Sequence, residues 1–299
     1  MHKERLTGVF PPVMTPFVKE ELRFDALREN IEKLNDTQLK GYMPLGSNGE
    51  FRSLSDDEAL AVLRTVRQAM AGNKVLIAGV ARESAHSTVE FASRCADVGM
   101  DYASVLAPHY FPARMTDEAL TRYYTYIADR CPVPVLLYNA PGFAAGVTIS
   151  PELVATLALH ANIVGMKDTS KADISTYTEA VPSGADFYVL AGTITKFFEG
   201  LEHGAIGGVL SIANYLPDEC CRIQSLHAAG RVQESMDLSE RLKRLSAGGA
   251  GKDGVAGVKA AMDLLGYSGL EPRLPLSALS ADQREELRTA FVADGLLPK

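Results

Sequence analysis

The sequence predicts an α/β protein whose fold is a (β/α)8 TIM barrel with a C-terminal helical extension. Eight short apolar, β-branched segments recur about every 20 to 35 residues, which is the length of one strand–helix unit. Helical patterns with recognisable caps lie between them, and only helical periodicity follows the eighth segment. Strands that alternate with helices form parallel sheets, and eight of them favour a closed barrel. The predicted domains are a catalytic barrel over residues 1–230 and a helical extension over residues 231–299.

Each predicted strand is an apolar run that is short for a helix. In chain order these strands are residues 8–15, 41–45, 75–80, 102–107, 133–139, 163–167, 187–191 and 206–211. Ser55 opens a capping box with Glu58 and predicts a helix start, as does Ser150 followed by Pro151. The glycine-rich residues 251–254 resemble a phosphate loop only superficially and are predicted to connect two helices.

Composition and charge exclude several classes of function. Hydrophobic residues make up 46% and charged residues 22% of the 299 positions, as in an ordinary globular protein. The net charge of −7 gives no reason to expect a nucleic-acid or membrane partner. Four cysteines without a disulfide pattern, no secretory signal and no apolar run of about 20 residues predict a soluble, cytoplasmic protein.

Lys167 is the most informative residue, because reactive groups of this barrel class lie at the C-terminal ends of strands. It is the first charged residue of the run NIVGMKD, and strand alternation places it on one face with Ile163 and Gly165, pointing into the barrel. A buried, uncharged lysine is a nucleophile that forms a Schiff base with a carbonyl. Two alternatives remain open: neutralisation by Asp168, or a side chain that reaches water at the barrel mouth.

Tyr138 ends the preceding strand, so its hydroxyl is expected beside the Lys167 amine. Forming and breaking an imine requires a group that shuttles protons, and a phenol can do so. The alternative is a tyrosine of the core whose hydroxyl makes one hydrogen bond.

The segment Gly46-Ser47-Asn48-Gly49-Glu50 lies between a strand and a capped helix. Its two glycines permit unusual backbone angles, and consecutive amides with the Ser47 hydroxyl can bind a carboxylate. It lacks the lysine and the spacing of a phosphate loop, and the alternative is a plain turn.

Metal and cofactor motifs are not found in the sequence. The six histidines are scattered, without an H-x-H or H-E-x-x-H pair, and His109 is expected to be a residue of the rim. No G-x-G-x-x-G follows a strand. The sequence therefore predicts neither a metal ion nor a cofactor.

An ordered set of short motifs resembles the dihydrodipicolinate synthase/N-acetylneuraminate lyase family of class I, pyruvate-type aldolases. These motifs are PPVMTPF, GSNGEF, APHY, YNAP, GMKD, LAGT and GGVLSIAN, and they span nearly the whole chain. The resemblance implies a barrel with a C-terminal helical extension that forms a homotetramer or homodimer, and a small 2-oxo acid as substrate.

The resemblance also implies a role for each site residue. Lys167 condenses with the keto carbon of pyruvate or another 2-oxo acid, and Tyr138 shuttles protons. Ser47 links Tyr138 to Tyr110, which in many family members reaches a neighbouring subunit. Ser47 and Asn48 hold the substrate carboxylate. Further residues line the pocket, namely Gly192, Thr193 and Leu210.

Departures from the family pattern bear on the substrate. Dihydrodipicolinate synthases usually carry an arginine shortly after YNxP, whereas residues 141–146 here have no basic side chain. The GSNGEF, RMT and GYSGLEPRLPL segments are most similar to 4-hydroxy-2-oxoglutarate aldolases, which yield pyruvate and glyoxylate. The predicted enzyme is a lyase that cleaves a 4-hydroxy-2-oxo acid. Aldolases or dehydratases of 2-keto-3-deoxy sugar acids and dihydrodipicolinate synthase remain alternatives.

A hypothesis of another class is a non-catalytic sensor that binds a 2-oxo acid in the same pocket. The intact lysine and tyrosine argue against it, and the sequence contains no DNA-binding or signalling module.

Overall fold

The computed structural model describes residues 2–298 of the chain. The strands are β1 Gly8–Phe10, β2 Phe17–Val18, β3 Glu21–Leu22, β4 Gly41–Tyr42, β5 Val75–Gly79, β6 Tyr102–Leu106, β7 Val135–Asn139, β8 Ile163–Asp168, β9 Tyr188–Ala191 and β10 Gly207–Val209. The α-helices are α1 His2–Leu6, α2 Phe24–Asn35, α3 Asp56–Ala69, α4 Ala85–Val98, α5 Asp117–Ala128, α6 Pro151–Leu157, α7 Ser175–Thr178, α8 Ile194–Glu202, α9 Pro217–Ala228, α10 Val232–Gly248, α11 Gly254–Leu264 and α12 Ala281–Ala293.

Eight strands form one sheet in the order β1-β10-β9-β8-β7-β6-β5-β4. The pairs from β5 to β10 are parallel, and α-helices follow the strands in the chain. This alternation, completed by helices after β10, is that of the (β/α)8 barrel class with a C-terminal helical extension, as predicted. Every residue of β5 to β8 is buried, because both faces of such a sheet are covered.

Each predicted strand overlaps one observed strand, although several end earlier than predicted. β1 stops at Phe10 because Pro11 and Pro12 have no N–H to donate. The hairpin of β2 and β3 was not predicted. Its turn residues Lys19 and Glu20 adopt positive φ angles of 50° and 71° without a glycine or asparagine to signal them.

Both predicted helix starts are present. Ser55 and Glu58 form the reciprocal capping box at the start of α3. Ser150 caps α6 by accepting a hydrogen bond of 3.0 Å from the Leu153 amide, with Pro151 at the first helical position. The predicted connector over residues 251–254 lies between α10 and the first residue of α11. The boundary after residue 230, between α9 and α10, stays a prediction.

The chain divides into two compact units. The first contains the residues up to Gly8 together with Val75–Val209, and the second contains Val9–Lys74 and the residues from Leu210 onward. None of the helices described within residues 2–298 combines the length and apolar character needed to span a membrane.

Candidate active site

Lys167 and Tyr138 lie side by side at the C-terminal ends of β8 and β7. The parallel register pairs Tyr138 with Lys167 and Leu136 with Gly165, so all four share one face of the sheet. Each of the two polar side chains belongs to a residue that is only 4% exposed. The Lys167 Nζ lies 4.4 Å from the centre of the Tyr138 ring. The predicted burial of Lys167 and its proximity to the Tyr138 ring are therefore confirmed, whereas the position of the Tyr138 hydroxyl beside the amine stays a prediction.

The carboxylate that follows Lys167 in the chain is engaged elsewhere. Asp168 is fully buried and forms an ion pair with Lys196. It also accepts hydrogen bonds from Asn139 Nδ2 at 2.8 Å and from the Ser170 amide at 3.1 Å. Consecutive strand residues point to opposite faces, so Asp168 lies across the sheet from Lys167. Within residues 2–298 no carboxylate pairs with Lys167, and neutralisation by Asp168 is excluded.

Asn139 braces the strand ends that carry these side chains. Its Nδ2 donates to Asp168 and, at 2.9 Å, to the Tyr177 hydroxyl, while its Oδ1 accepts from the Ile149 amide at 3.0 Å. A buried polar network whose members are all bonded holds its surroundings rigid. Sequence analysis missed Lys196 and Tyr177, because no local pattern links them to β8.

Gly192 and Thr193 follow β9, the strand that pairs with β8 on its other side. The Gly192 amide donates to the Asp168 carbonyl at 2.7 Å. A Cβ at Gly192 would lie 2.2 Å from the Thr169 methyl carbon and 2.5 Å from that carbonyl oxygen, so only glycine fits. Thr193 precedes α8, and its hydroxyl lies 2.8 Å from the hydroxyl of Thr195.

The segment of residues 46–50, called here the 46–50 loop, is a tight turn in the second unit. The Gly49 amide donates to the Gly46 carbonyl and the Glu50 amide to the Ser47 carbonyl, both at 3.1 Å. Ser47 and Asn48 are half-buried, whereas the other three residues are buried. Asn48 Nδ2 donates to Ser211 Oγ at 2.7 Å, which holds this side chain against the segment after β10.

Leu210 and Tyr110 have contrasting environments. Leu210 is completely buried, and its amide donates to the Phe10 carbonyl at 3.0 Å. Tyr110 is 75% exposed, and its ring meets Phe111 edge to face with 4.9 Å between the centres. Its backbone amide donates to a Glu83 carboxylate oxygen at 3.0 Å.

A second buried lysine, Lys259 of α11, was missed by sequence analysis. Its Nζ lies 2.6 Å from Glu50 Oε1 and donates to the carbonyls of Thr15 and Glu271, each at 2.7 Å. Burial lowers the pKa of Lys259, although the Glu50 carboxylate opposes that shift. The available signal was a single lysine in the apolar stretch between Asp253 and Asp263.

His109 behaves as an ordinary residue of the rim. Its Nδ1 lies 3.3 Å from a Glu83 carboxylate oxygen and 3.2 Å from the Ala107 carbonyl. In the part of the chain that the structure describes, no three side chains of His, Cys, Asp or Glu are grouped so that they could hold a metal ion.

Comparison with known proteins identifies the family. The family model of the dihydrodipicolinate synthetases matches residues 5–293. The chain belongs to this family. Its members are class I pyruvate-dependent lyases and aldolases, and the present family member is an enzyme of that class.

Relatives of this family member carry different activities in their names. One is the 4-hydroxy-tetrahydrodipicolinate synthase of Ruegeria pomeroyi, which is 30% identical and covers 97% of this chain and 99% of its own. The L-threo-3-deoxy-hexylosonate aldolase of Aspergillus niger is 32% identical, with 97% of each chain covered. The probable mitochondrial 4-hydroxy-2-oxoglutarate aldolase of Emericella nidulans is 29% identical, with 95% and 93% covered.

Solved structures of the family share the fold. A prophage protein of the dihydrodipicolinic acid synthase family from E. coli K12, crystallised in complex with pyruvate, aligns with a TM-score of 0.89 at 27% identity. The alignment covers 98% of this chain and 99% of that one.

Proposed function

We propose that this family member is a lyase that cleaves a 4-hydroxy-2-oxo acid, such as 4-hydroxy-2-oxoglutarate, to pyruvate and an aldehyde through an imine on Lys167. The observation that carries the proposal is the Lys167 amine, buried 4.4 Å from the Tyr138 ring centre and unpaired with any carboxylate among residues 2–298. An amine in that position gives up no ion pair when it loses its proton and attacks a carbonyl carbon.

The chemistry follows from the imine. Lys167 Nζ adds to the C2 carbonyl, and the carbinolamine hydroxyl takes the phenolic proton of Tyr138 and leaves as water, which gives a protonated imine and a Tyr138 phenolate. That phenolate then takes the proton of the C4 hydroxyl as the C3–C4 bond breaks, and the electron pair of that bond moves into an enamine. The aldehyde departs, C3 takes up a proton, and water hydrolyses the imine to release pyruvate and the free lysine. In this proposal Ser47 relays protons between Tyr138 and Tyr110.

Recognition of the carboxylate is assigned to the 46–50 loop. Ser47 and Asn48 are its half-buried members, and they offer hydroxyl and amide donors of the kind that bind a carboxylate. Gly192, Thr193 and Leu210 are proposed to line the pocket. Binding at the carboxylate orients C2 for attack by the amine.

The substrate choice rests on residues 141–146, Pro-Gly-Phe-Ala-Ala-Gly, which contain no basic side chain. A synthase that binds a second substrate carboxylate through an arginine in this segment would have no such arginine in this chain. A second candidate is an aldolase of 2-keto-3-deoxy sugar acids, favoured by the 32% identity to the Aspergillus niger aldolase.

Borohydride reduction with pyruvate followed by mass spectrometry tests the imine. We expect the mass of one reduced pyruvyl group on the peptide that contains Lys167. A panel of 4-hydroxy-2-oxoglutarate, 2-keto-3-deoxy sugar acids and the precursors of dihydrodipicolinate then identifies the reaction by product release. An adduct on another lysine, or no adduct, would overturn the proposed imine on Lys167. An adduct without turnover of any panel member would favour a non-catalytic sensor of 2-oxo acids.

Assembly into a homotetramer or homodimer is part of the proposal. The exposed aromatic pair Tyr110 and Phe111, 75% and 66% exposed, supports a contact with another subunit. Light scattering in solution measures the mass, and a strictly monomeric protein would contradict this part.

A further inference from the structure

We propose that the buried Glu50–Lys259 ion pair positions Ser47 and Asn48 for the substrate carboxylate, an inference that rests on the proposed function of the 46–50 loop. Glu50 and Lys259 are thus positioning residues that act through the loop.

The 46–50 loop is held in a conformation that its residues do not favour. Leu45 before it and Glu50 at its end have positive φ angles of 62° and 53°, in the left-handed region that side chains other than glycine rarely adopt. Such angles persist only where the surrounding structure enforces them, and they concentrate at functional sites. At the Glu50 end of this turn, neighbouring side chains must therefore hold the backbone in place.

Lys259 supplies that hold along two routes that converge on consecutive residues. Directly, its Nζ pairs with Glu50 Oε1 at 2.6 Å. Indirectly, it donates to the Thr15 carbonyl at 2.7 Å, and the Thr15 hydroxyl donates to the Gly49 carbonyl at 2.8 Å. One ammonium group thus secures Gly49 and Glu50, which follow Ser47 and Asn48 immediately.

Glu50 also ties the loop to the segment after α11. Its Oε2 accepts the Arg273 amide at 2.8 Å, while its Oε1 faces Lys259. The Arg273 side chain donates to Glu58 at 2.9 Å and to the Ser53 carbonyl at 2.7 Å, close to the start of α3. The C-terminal extension therefore contacts both carboxylate oxygens of Glu50, through the Lys259 side chain of α11 and through the Arg273 backbone amide in the segment after it.

Stability alone is a weak reason to keep such a pair. A buried ion pair loses hydration on folding, and apolar residues of the same volume often stabilise a fold equally well. We infer that the pair instead fixes the conformation of the 46–50 loop, because its geometry is compatible with only one course of the backbone at Glu50. Ser47 and Asn48 are the only half-buried residues of this loop. A fixed loop conformation therefore fixes the positions of the two side chains proposed to bind the carboxylate.

Lys74 is the matched control. It too is a lysine of the second unit that bridges backbone carbonyls, donating to Thr37 at 2.9 Å and Leu39 at 2.8 Å. Those carbonyls precede β4, whereas the 46–50 loop follows it. Lys74→Met therefore removes a comparable bridge from the opposite end of the same strand.

The test measures the concentration of ligand that half-saturates the borohydride-trapped imine on the full chain. Pyruvate is compared with methyl pyruvate, which keeps the ketone but has no carboxylate. For Glu50→Gln and Lys259→Met we expect the pyruvate value to rise at least about tenfold, with the methyl pyruvate value changed less than about twofold. Lys74→Met is expected to leave both values within about twofold of wild type.

Two further variants extend the test to the indirect route. Thr15→Val removes the hydroxyl bond to Gly49, and Thr15→Ser keeps it. Only the valine variant is expected to raise the half-saturating concentration of pyruvate. This comparison tests the inference even if Glu50→Gln or Lys259→Met does not fold. Equal losses for both ligands, or pyruvate values unchanged in Glu50→Gln and Thr15→Val, would overturn the inference. Absence of an adduct in the wild type would instead overturn the proposed function.

Discussion

Lys167 and Lys259 are both almost completely buried, yet their surroundings differ in kind. Lys259 donates hydrogen bonds to two carbonyls, and its ammonium group forms an ion pair with the Glu50 carboxylate. Lys167 faces the ring of Tyr138, and within residues 2–298 it has no carboxylate partner. The first arrangement holds the lysine in an ion pair, whereas the second leaves an amine without an ionic partner, as the proposed imine chemistry requires.

The contrast teaches that burial of a lysine does not by itself indicate catalysis. The acceptors around the Nζ atom separate the two roles. The same contrast can be tested by substitution, because loss of one lysine should affect chemistry and loss of the other should affect folding and the shape of a loop.

The largest effect is expected for Lys167→Met. Turnover should fall by roughly 10⁴-fold or more, because the variant lacks the proposed nucleophile. The free energy of unfolding should stay the same or rise, since the variant replaces a buried amine that has no carboxylate partner with an apolar side chain of similar length. Steady-state kinetics and chemical denaturation measure the two quantities. The exposed Lys171→Met serves as control, and near-normal turnover in Lys167→Met would remove this lysine from the mechanism.

Lys259→Met should lower stability strongly, in contrast to Lys167→Met. It removes the cation that faces the buried Glu50 Oε1 and the donor to the buried Thr15 carbonyl, so we expect a loss of about 3–5 kcal/mol in the free energy of unfolding. The double variant Glu50→Gln/Lys259→Met should recover part of that loss, because it removes both charges. Denaturant titration of the set measures this, and a single variant as stable as wild type would contradict the assigned role.

Tyr138→Phe tests the proposed proton shuttle beside Lys167. The ring that faces Lys167 is kept and the hydroxyl is removed, so turnover should fall about 10²–10⁴-fold with little change in stability. Rapid-quench trapping of the imine should show slower formation. Tyr126→Phe, on an exposed part of α5, is the control, and kinetics equal to wild type would assign Tyr138 to packing only.

The smallest effect on stability is expected for Glu58, which pairs with Arg273. Arg273 beside Glu58 holds the pKa of that carboxyl below its usual value of 4.5. A carboxyl group whose pKa is lower in the folded state stabilises the fold above the unfolded pKa and loses that contribution as the pH falls through the folded value. Glu58→Gln, which preserves the capping box, should therefore lower stability at pH 7 by no more than about 1 kcal/mol.

The pH dependence supplies the check on Glu58. The difference in unfolding free energy between wild type and Glu58→Gln should shrink as the pH falls below 4.5. A difference that stays constant from neutral to acid pH would show that the Arg273 pair has no part in it.

The sequence predicted those features that depend on the alternation of apolar strands and helices along the chain. The placement of the eight strands followed from apolar periodicity, and the meeting of Lys167 with Tyr138 followed from two strands that end at the same edge. Contacts made by distant segments had no such pattern. Lys196 lies 28 residues beyond Asp168, and the partner of Lys259 lies in a loop more than 200 residues earlier.

One criterion would have found both buried lysines but not told them apart. Each lysine follows a run of uncharged residues, Lys167 near the end of a strand and Lys259 within a helix. A strand end predicts the edge at which the side chain lies, whereas a helix in the extension gives no such indication. The acceptors that distinguish the two become visible only in three dimensions.

The opposite facing of Lys167 and Asp168 also limits how this chain can change in length. The register between β7 and β8 skips Val164, because Val135 pairs with Ile163 and Leu136 with Gly165, so the strand accommodates an extra residue there. Deleting Met166, which lies between that irregularity and Lys167, would exchange Lys167 and Asp168, bringing an anion to the place of the amine and the amine to the partners of the anion. Length differences among homologues of this chain should therefore leave the spacing from Gly165 to Asp168 untouched.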